Sequence, residues 1–168
     1  IILIKKFKFY FENFFLKKYF FLKKNKILKD KFINQKVFII GLGPSIKNYD
    51  LNKLKNTNVI MVNRSFRIPE YSSLKPKYHL FVDNKLANGR WPISFIDEVL
   101  LKSPDTSIAL NANWYHLEKF KKFRDNKNIF WIKLNHVSLL NGEYIYDLTK
   151  ITSNGATVIE CAITFSVY

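Results

Sequence analysis

Five apolar runs recur along the chain, and each is followed by a small or polar residue. The first, Val37–Ile40, leads into the turn Gly41-Leu42-Gly43-Pro44-Ser45. The others are Val59–Val62, Leu80–Val82, Ile108–Leu110 and Ile129–Leu134, which end at Asn63, Asp83-Asn84, Asn111 and Asn135-His136. Short apolar runs bounded by turn residues are typical of strands buried on both faces. The pattern therefore predicts five strands of one sheet.

The spacing of these runs predicts how the strands are connected. Between 20 and 28 residues separate successive strand-end residues, which suits strand–helix–strand crossovers. The intervening segments 92–102 and 116–125 have helical character, and 50–55 forms a short helix at best. We therefore expect an α/β fold with an open, mostly parallel, Rossmann-like sheet and flanking helices. In such sheets ligands bind beyond the carboxyl ends of the strands, where the polar residues lie.

The final segment changes character at Val158. Residues 152–157 are small and polar, and the apolar run Val158–Val167 that follows predicts a helix. Ser153 or Asn154 would serve as its N-cap. Because no C-cap signal follows, we expect the α/β domain, residues 35–168, to be C-terminally incomplete. The alternative is a helix whose last turn is simply the end of the chain.

The leading segment, residues 1–34, reads as a separate basic and aromatic unit. Residues 1–31 contain no Pro or Gly, which favours a helix, and lysine pairs interrupt every apolar run before it could span a bilayer. On a helical wheel Phe21 and Leu22 share a face with several other phenylalanines, while Phe20 lies roughly opposite. Two interpretations stay open: a helix lying on an anionic membrane surface, or a helix packed on the domain or a partner.

The distribution of positive charge along the chain indicates which kinds of partner are expected. The net charge is +15, but residues 1–36 hold 11 Lys/Arg against 2 Asp/Glu, so the excess is concentrated in the leading segment. This favours an electrostatic role for that segment over a nucleic-acid groove in the domain, and we expect no nucleic-acid partner. A single cysteine, Cys161, excludes an internal disulfide, and no Cys/His cluster has metal-ligand spacing. We expect no metal site.

The glycine turn is the first candidate for chemistry. Glycine permits a positive φ and a close approach of backbone to ligand, and Pro44 suits the first turn of a helix. Ser45 could cap that helix or bind a phosphate at its N-terminus. The turn lacks the ending of a Walker loop and the third glycine of the dinucleotide fingerprint. It predicts a ligand-binding turn, with a purely structural tight turn as the alternative.

The other strand ends supply amides, a carboxylate and a histidine. Asn63 could bind a ribose hydroxyl or a base edge, or form an Asx-turn. Asp83 and Asn84 could bind a ligand or cap their loop. His136 is a weak candidate for a general base, whereas His79, His116 and the core residue Cys161 receive no role. The segment Ser153-Asn154-Gly155 could form a second nucleotide cradle or merely cap the last helix. The full candidate binding set is Gly41, Gly43, Pro44, Ser45, Asn63, Asp83, Asn84, Asn111, Ser153, Asn154 and Gly155.

Residues 37–160, with the motifs FIIGLGPSI, VIMVNRSF and KPKYHLFVDN, resemble a bacterial group found in surface-polysaccharide and flagellin-modification loci. One branch contains MptE-like (6-hydroxymethylpterin pyrophosphokinase-like) domains, and another contains CMP-sialic-acid-dependent sialyltransferases. In the second branch the turn reads G-N-G-P-S and contacts the cytidine nucleotide. Gly41, Gly43, Pro44 and Ser45 match it, and Leu42 replaces the asparagine. Asn63 and Asn84 match the family's polar strand ends, and Ser153 and Gly155 resemble its small-residue turn.

This resemblance implies a nucleotide-sugar-binding domain of a glycosyltransferase-like, sialyltransferase-like protein in bacterial lipopolysaccharide or other surface-polysaccharide synthesis. The donor would be a nucleotide-activated sugar, CMP-linked, and the acceptor a glycan, with no further cofactor and no metal. The family's catalytic histidine lies beyond the matched residues, and His136 does not correspond to it. We expect a cytoplasmic location. Residues 1–31, which the resemblance does not explain, would add peripheral association with the inner membrane. The alternatives are a pterin diphosphokinase-like phosphotransferase and a non-catalytic scaffold at the membrane surface.

Overall fold

The sheet has six strands, all parallel, in a single open array. A computed structural model describes residues 16–135, 146–153 and 157–168. The strands are β1 (Val37–Ile40), β2 (Asn58–Val62), β3 (Tyr78–Phe81), β4 (Ser107–Asn111), β5 (Ile129–Asn135) and β6 (Ile151–Ser153), and they pair in that order. The register runs from Val37 opposite Asn58 to Asn135 opposite Ser153. The predicted α/β class with an open parallel sheet is confirmed.

The strand order follows the chain order without a reversal among the described strands. Because parallel crossovers are right-handed, crossovers that all step in one direction lie on one face of the sheet. The helices there are short: α1 (Tyr71–Leu74), α2 (Ser94–Lys102) and 3₁₀ segments. The 3₁₀ segments are Pro44–Asn48, Leu51–Leu54, Asn63–Arg67, Ala112–Trp114 and Glu118–Phe123. The predicted helix over 116–125 is therefore a shorter 3₁₀ segment, and 92–102 begins at Ser94.

Strands β1 to β5 each contribute to two hydrophobic clusters, one on each face. In β2, Val59 and Met61 pack with the crossover helices, whereas Ile60 and Val62 pack on the opposite face. In β5, Trp131 faces the crossovers. Alternate side chains of a strand point to opposite faces, so burial on both faces requires an uninterrupted apolar run. This explains why the runs were visible in the sequence.

The second face is covered by the helix α3 (Val158–Val167), which contributes Cys161, Ala162 and Phe165 to that cluster. Its predicted range is confirmed, but the predicted cap is wrong. The N-cap is Thr157, whose hydroxyl accepts from the Glu160 N–H, while the Glu160 carboxylate accepts from the Thr157 N–H. Ser153 is instead the last residue of β6. The strand β6 was not predicted, because two of its three residues are polar.

The leading segment joins the same core where it is described. A 13-residue 3₁₀ helix, Leu16–Leu28, has a kink at Tyr19 and packs beside β5. Leu22 and Leu28 are buried in the two hydrophobic clusters, whereas Phe20 is 59% exposed. The packed interpretation therefore holds for this half of the leader. Residues 1–15 lie outside the described part, and no described helix is long and apolar enough to cross a bilayer.

Candidate functional site

The parallel sheet brings the predicted strand-end residues to one edge. The glycine turn follows β1, Asn63 follows β2, and Asp83 and Asn84 follow β3. Asn111 and Ser153 are the last residues of β4 and β6. Neighbouring strands are about 4.8 Å apart, so these residues form a row rather than a point. His136, Asn154 and Gly155 lie outside the described residues.

The sequential strand order affects how a ligand could be held at this edge. In doubly wound sheets the crevice opens where the strand order reverses. The described strands have no such reversal, so no crevice of this kind separates their carboxyl ends. A ligand at this edge would have to be bound by the turns and short helices that follow the strands.

The glycine turn has ordinary backbone geometry. Neither Gly41 nor Gly43 has a positive φ, and Gly43 lies at −65°. A Cβ on Gly41 would lie 3.4 Å from Cδ1 of Ile159, in the first turn of α3. Gly41 therefore packs beside the first turn of α3, at a distance that a methyl group would also allow. The positive φ that glycine permits is used at neither position.

Ser45 does not cap the helix that follows the turn. Gly43 occupies the N-cap position of Pro44–Asn48, and no side chain caps this helix. Pro44 stands in the first turn, as predicted, and Ser45 is the next residue and is exposed. The helix has only five residues, so few aligned peptide dipoles contribute to its field. The turn is consequently a poor phosphate cradle by the helix-dipole argument alone.

An apolar groove of about 650 Å³ opens beside the turn. It exists because β1 is the edge strand, with β2 on one side only. Phe38 and Ile40 of β1 line it together with Ile46 and Leu51 from the following 3₁₀ segments, and Ser45 lies on its wall. The volume is within the range of pockets that hold small molecules, which are mostly apolar with a few polar groups. The groove could hold a planar ring next to the strand-end turns.

Asn63 has the most constrained backbone at this edge. Its φ is 52°, in the left-handed region, which asparagine tolerates better than most residues. Its carbonyl accepts from Nε2 of His79 at 2.8 Å, and Nδ1 of His79 lies 3.0 Å from the Tyr71 hydroxyl. Because the carbonyl can only accept, Nε2 carries the proton and Nδ1 accepts from Tyr71. The Asn63 Oδ1 is buried without a partner among the described residues.

His79 stays neutral in this arrangement. It is completely buried, and burial lowers its pKa to about 3, although the bond to the Asn63 carbonyl acts in the opposite direction. Burial also raises the pKa of Tyr71, so its hydroxyl keeps its proton. The pair supports the backbone at the end of β2 and is not placed to exchange protons with a ligand. No signal in the sequence pairs His79 with Tyr71 or Asn63.

The side-chain oxygens at the ends of β3 and β4 are used locally. One oxygen of Asp83 accepts from the Lys85 N–H at 3.0 Å, and the other lies 3.3 Å from Lys85 Nζ. The Asn84 Oδ1 accepts from Trp114 Nε1 at 3.2 Å, and the Asn111 Oδ1 accepts from the Asn113 N–H at 3.0 Å. The Asp83 and Asn111 contacts, each to a residue two positions along, cap their loops, whereas the Asn84 contact joins two loops. These contacts leave the two amide NH₂ groups as the donors for a ligand.

Two cations beside these residues were missed from the sequence. The Arg64 guanidinium lies 5.9 Å from the centroid of the Trp91 ring, and Lys85 Nζ lies 5.1 Å from it. We call Arg64, Lys85 and Trp91 the Trp91 cluster. Each cation directly follows a predicted site residue, Asn63 or Asn84. That adjacency was the available signal, but it was hidden by the many lysines elsewhere in the chain.

The remaining candidates for chemistry are structural. Cys161 is buried in the second cluster, as predicted, and burial, with a smaller contribution from Glu160, raises the pKa of its thiol to about 11. His116 is exposed, and its ring meets those of Phe21 and Tyr115 edge-on. Within residues 16–135, 146–153 and 157–168, no three His, Cys, Asp or Glu side chains are grouped to hold a metal.

No model of a protein family matches this chain, and no curated protein or solved structure is significantly similar to it. The resemblance described above therefore stays a prediction. Together the fold and the site define an α/β protein whose described crossovers lie on one face of a parallel sheet. Its candidate binding edge combines an apolar groove, a row of amides and a pair of cations.

Proposed function

We propose that this chain is the nucleotide-sugar-binding domain of a glycosyltransferase-like protein in bacterial surface-polysaccharide synthesis. The observation that carries the proposal is the apolar groove of about 650 Å³ directly beside the polar carboxyl edge of a parallel sheet. A nucleotide-activated sugar has a flat base, hydroxyls and a phosphate, and it needs an apolar surface and polar groups side by side. The resemblance to CMP-sialic-acid-dependent sialyltransferases adds a CMP-linked donor as the first ligand to test.

Each part of the donor has a complementary surface in this proposal. The base lies in the groove against Phe38 and Ile46, which are among its apolar walls. Ser45, on the same wall, offers a hydroxyl to the ribose. Asn63 and the NH₂ groups of Asn84 and Asn111 lie further along the row and bind sugar hydroxyls. The acceptor glycan, and any attachment to the inner membrane through residues 1–31, belong to the same proposal.

The described residues account for donor binding, and we assign the base for sugar transfer to none of them. Transfer breaks the bond between the anomeric carbon and the phosphate oxygen, and a base takes the proton of the attacking hydroxyl. His79 is buried and its pKa is about 3, so it is unsuited to that role. His116 lies in the segment after β4, where its ring meets those of Phe21 and Tyr115 edge-on.

Isothermal titration of the chain with CMP, CDP, UDP and GDP tests the proposal. We expect CMP to bind, and Phe38→Ala to weaken it by about tenfold, since loss of base–aromatic contact costs about 1–3 kcal/mol. Phe20→Ala is the matched control, because Phe20 is an exposed phenylalanine at the leader helix. Absence of binding for all four nucleotides at millimolar concentration would refute the proposal. Mg²⁺-dependent ATP turnover would instead favour the diphosphokinase alternative.

A further inference from the structure

We infer that the Trp91 cluster, rather than the glycine turn, binds the phosphoryl group of a ligand. Arg64 and Lys85 follow the neighbouring strands β2 and β3, and both cationic groups lie within 6 Å of the centroid of one indole ring. Two cations positioned over one half-buried ring at the carboxyl edge form a compact positive surface. The glycine turn offers no side-chain cation in the same position and no helix of useful length.

The cluster is held in place by the chain around it. The Trp91 backbone N–H donates to the Lys85 carbonyl at 2.9 Å, which closes the loop between the two residues. The Asp83 carboxylate holds both the backbone N–H and the ammonium of Lys85. Arg64 lies in the 3₁₀ segment Asn63–Arg67, whose first residue is supported by His79. Lys85 is therefore positioned before a ligand arrives, which lowers the entropic cost of binding at that cation, whereas the Arg64 side chain is exposed and contacts the Trp91 ring.

The charge balance favours an anion. Among the described residues, Asp83 is the only carboxylate that pairs with the cluster, and it contacts Lys85 alone. The Arg64 guanidinium has no hydrogen bond or ion pair to any residue that the structure describes, apart from its contact with the Trp91 ring. A guanidinium presents a planar fork of donors that matches the oxygens of a phosphoryl group. Lys85 adds a second cation, and because Asp83 pairs with it, the cluster together with Asp83 has a net charge of +1.

The assignment to a nucleotide rests on the proposed function, whereas the anion site itself does not. The ends of β1 and β3 are two strand spacings apart, about 10 Å. A nucleotide whose base lies in the groove beside β1 can therefore extend its phosphate along the edge toward Arg64 and Lys85. The phosphoryl group would then lie next to Asn63 and Asn84, where the donor sugar begins.

Tryptophan fluorescence provides a direct measurement. Trp114 and Trp131 are buried, whereas Trp91 is half-buried, so iodide, an anionic quencher, should act mainly on Trp91. We expect inorganic phosphate, pyrophosphate and CMP to protect this fluorescence from iodide, and cytidine to give no protection. Trp91→Phe should remove the iodide-sensitive signal, which assigns it to the cluster.

The double variant Arg64→Gln/Lys85→Gln should reduce iodide quenching before any ligand is added and weaken phosphate and CMP binding by about tenfold. Lys75→Gln/Lys77→Gln is the matched control, because it removes the same charge from exposed residues that precede β3, at the opposite edge. Equal phosphate binding by the two double variants would overturn the inference. Nucleotide binding that survives Arg64→Gln/Lys85→Gln refutes the inference and leaves the proposed function standing. Protection by phosphate without any nucleotide binding refutes the proposed function and supports the anion site.

Discussion

The turns after β1 and β2 are neighbours at one edge of the sheet, yet they are built in opposite ways. The glycine turn has ordinary backbone angles, and its Leu42, Pro44 and Ser45 side chains are exposed. The turn after β2 has Asn63 in a left-handed conformation, supported by a fully buried His79 and by Tyr71. The motif that stands out in the sequence is thus the simpler structure. The constrained one depends on residues far apart in the chain.

The largest effect that would test this comparison is loss of His79. His79→Ala removes the donor to the Asn63 carbonyl, leaves the Tyr71 hydroxyl without its partner and opens a cavity in the core. We expect the free energy of unfolding, measured in urea, to fall by about 3 kcal/mol. His116→Ala, at an exposed histidine, should cost less than about 1 kcal/mol. Similar losses for both variants would mean that the buried hydrogen bonds of His79 do not add to the free energy of unfolding.

Acid should weaken the same region through His79. Its pKa falls from 6.5 in the unfolded chain to about 3 in the folded chain. Below pH 6.5 the unfolded state therefore binds a proton that the folded state does not, so stability present above pH 6.5 is lost as the pH falls toward 3. By pH 5 the loss from this group is about 2 kcal/mol. Urea unfolding from pH 7 to 5 should show a shallower decline for His79→Ala than for the unsubstituted chain, and parallel declines would contradict it.

The smallest expected effect concerns the glycine turn itself. Gly41→Ala adds a methyl group 3.4 Å from the flexible end of Ile159 at an ordinary φ, so we expect a loss below about 0.5 kcal/mol. Gly89 has a φ of 81° and open space around it, so Gly89→Ala should cost about 1 kcal/mol from backbone strain alone. Thermal or urea unfolding of the two variants gives the ranking. A larger loss at position 41 would restore a special backbone role for the turn.

The elements that could be predicted from the sequence are those whose residues form apolar runs in the chain. Five strands and the helix Val158–Val167 were visible because both faces of the sheet are covered and leave long apolar runs. The three-residue strand β6 was not visible, because Thr152 and Ser153 are polar and the pairing with β5 supplies its order. The N-cap Thr157 was missed because three small polar residues compete for that position in the sequence.

The candidate site was predictable as an edge but not in its internal contacts. Parallel pairing brings Asn63, Asn84 and Asn111 to one end of the sheet, as the strand-end pattern predicted. Which of their atoms are already bonded depends on partners such as Trp114, which follows a later strand. The cations of the Trp91 cluster are recognisable only once Trp91 is known to lie beside both of them.

The strand order also has a consequence for how the chain acquires its structure during synthesis. Each strand pairs with the one made just before it, as Val37 does with Asn58 and Ile108 with Ile129. The sheet can therefore grow one strand at a time as the ribosome delivers the chain, with short loops to close at each step. Two helices are exceptions: the leader helix is made first but packs beside β5, and α3 returns from the last strand to pack on β1 and β2. Until α3 docks, the second face of the nascent sheet lacks its covering helix, and its apolar side chains are open to aggregation.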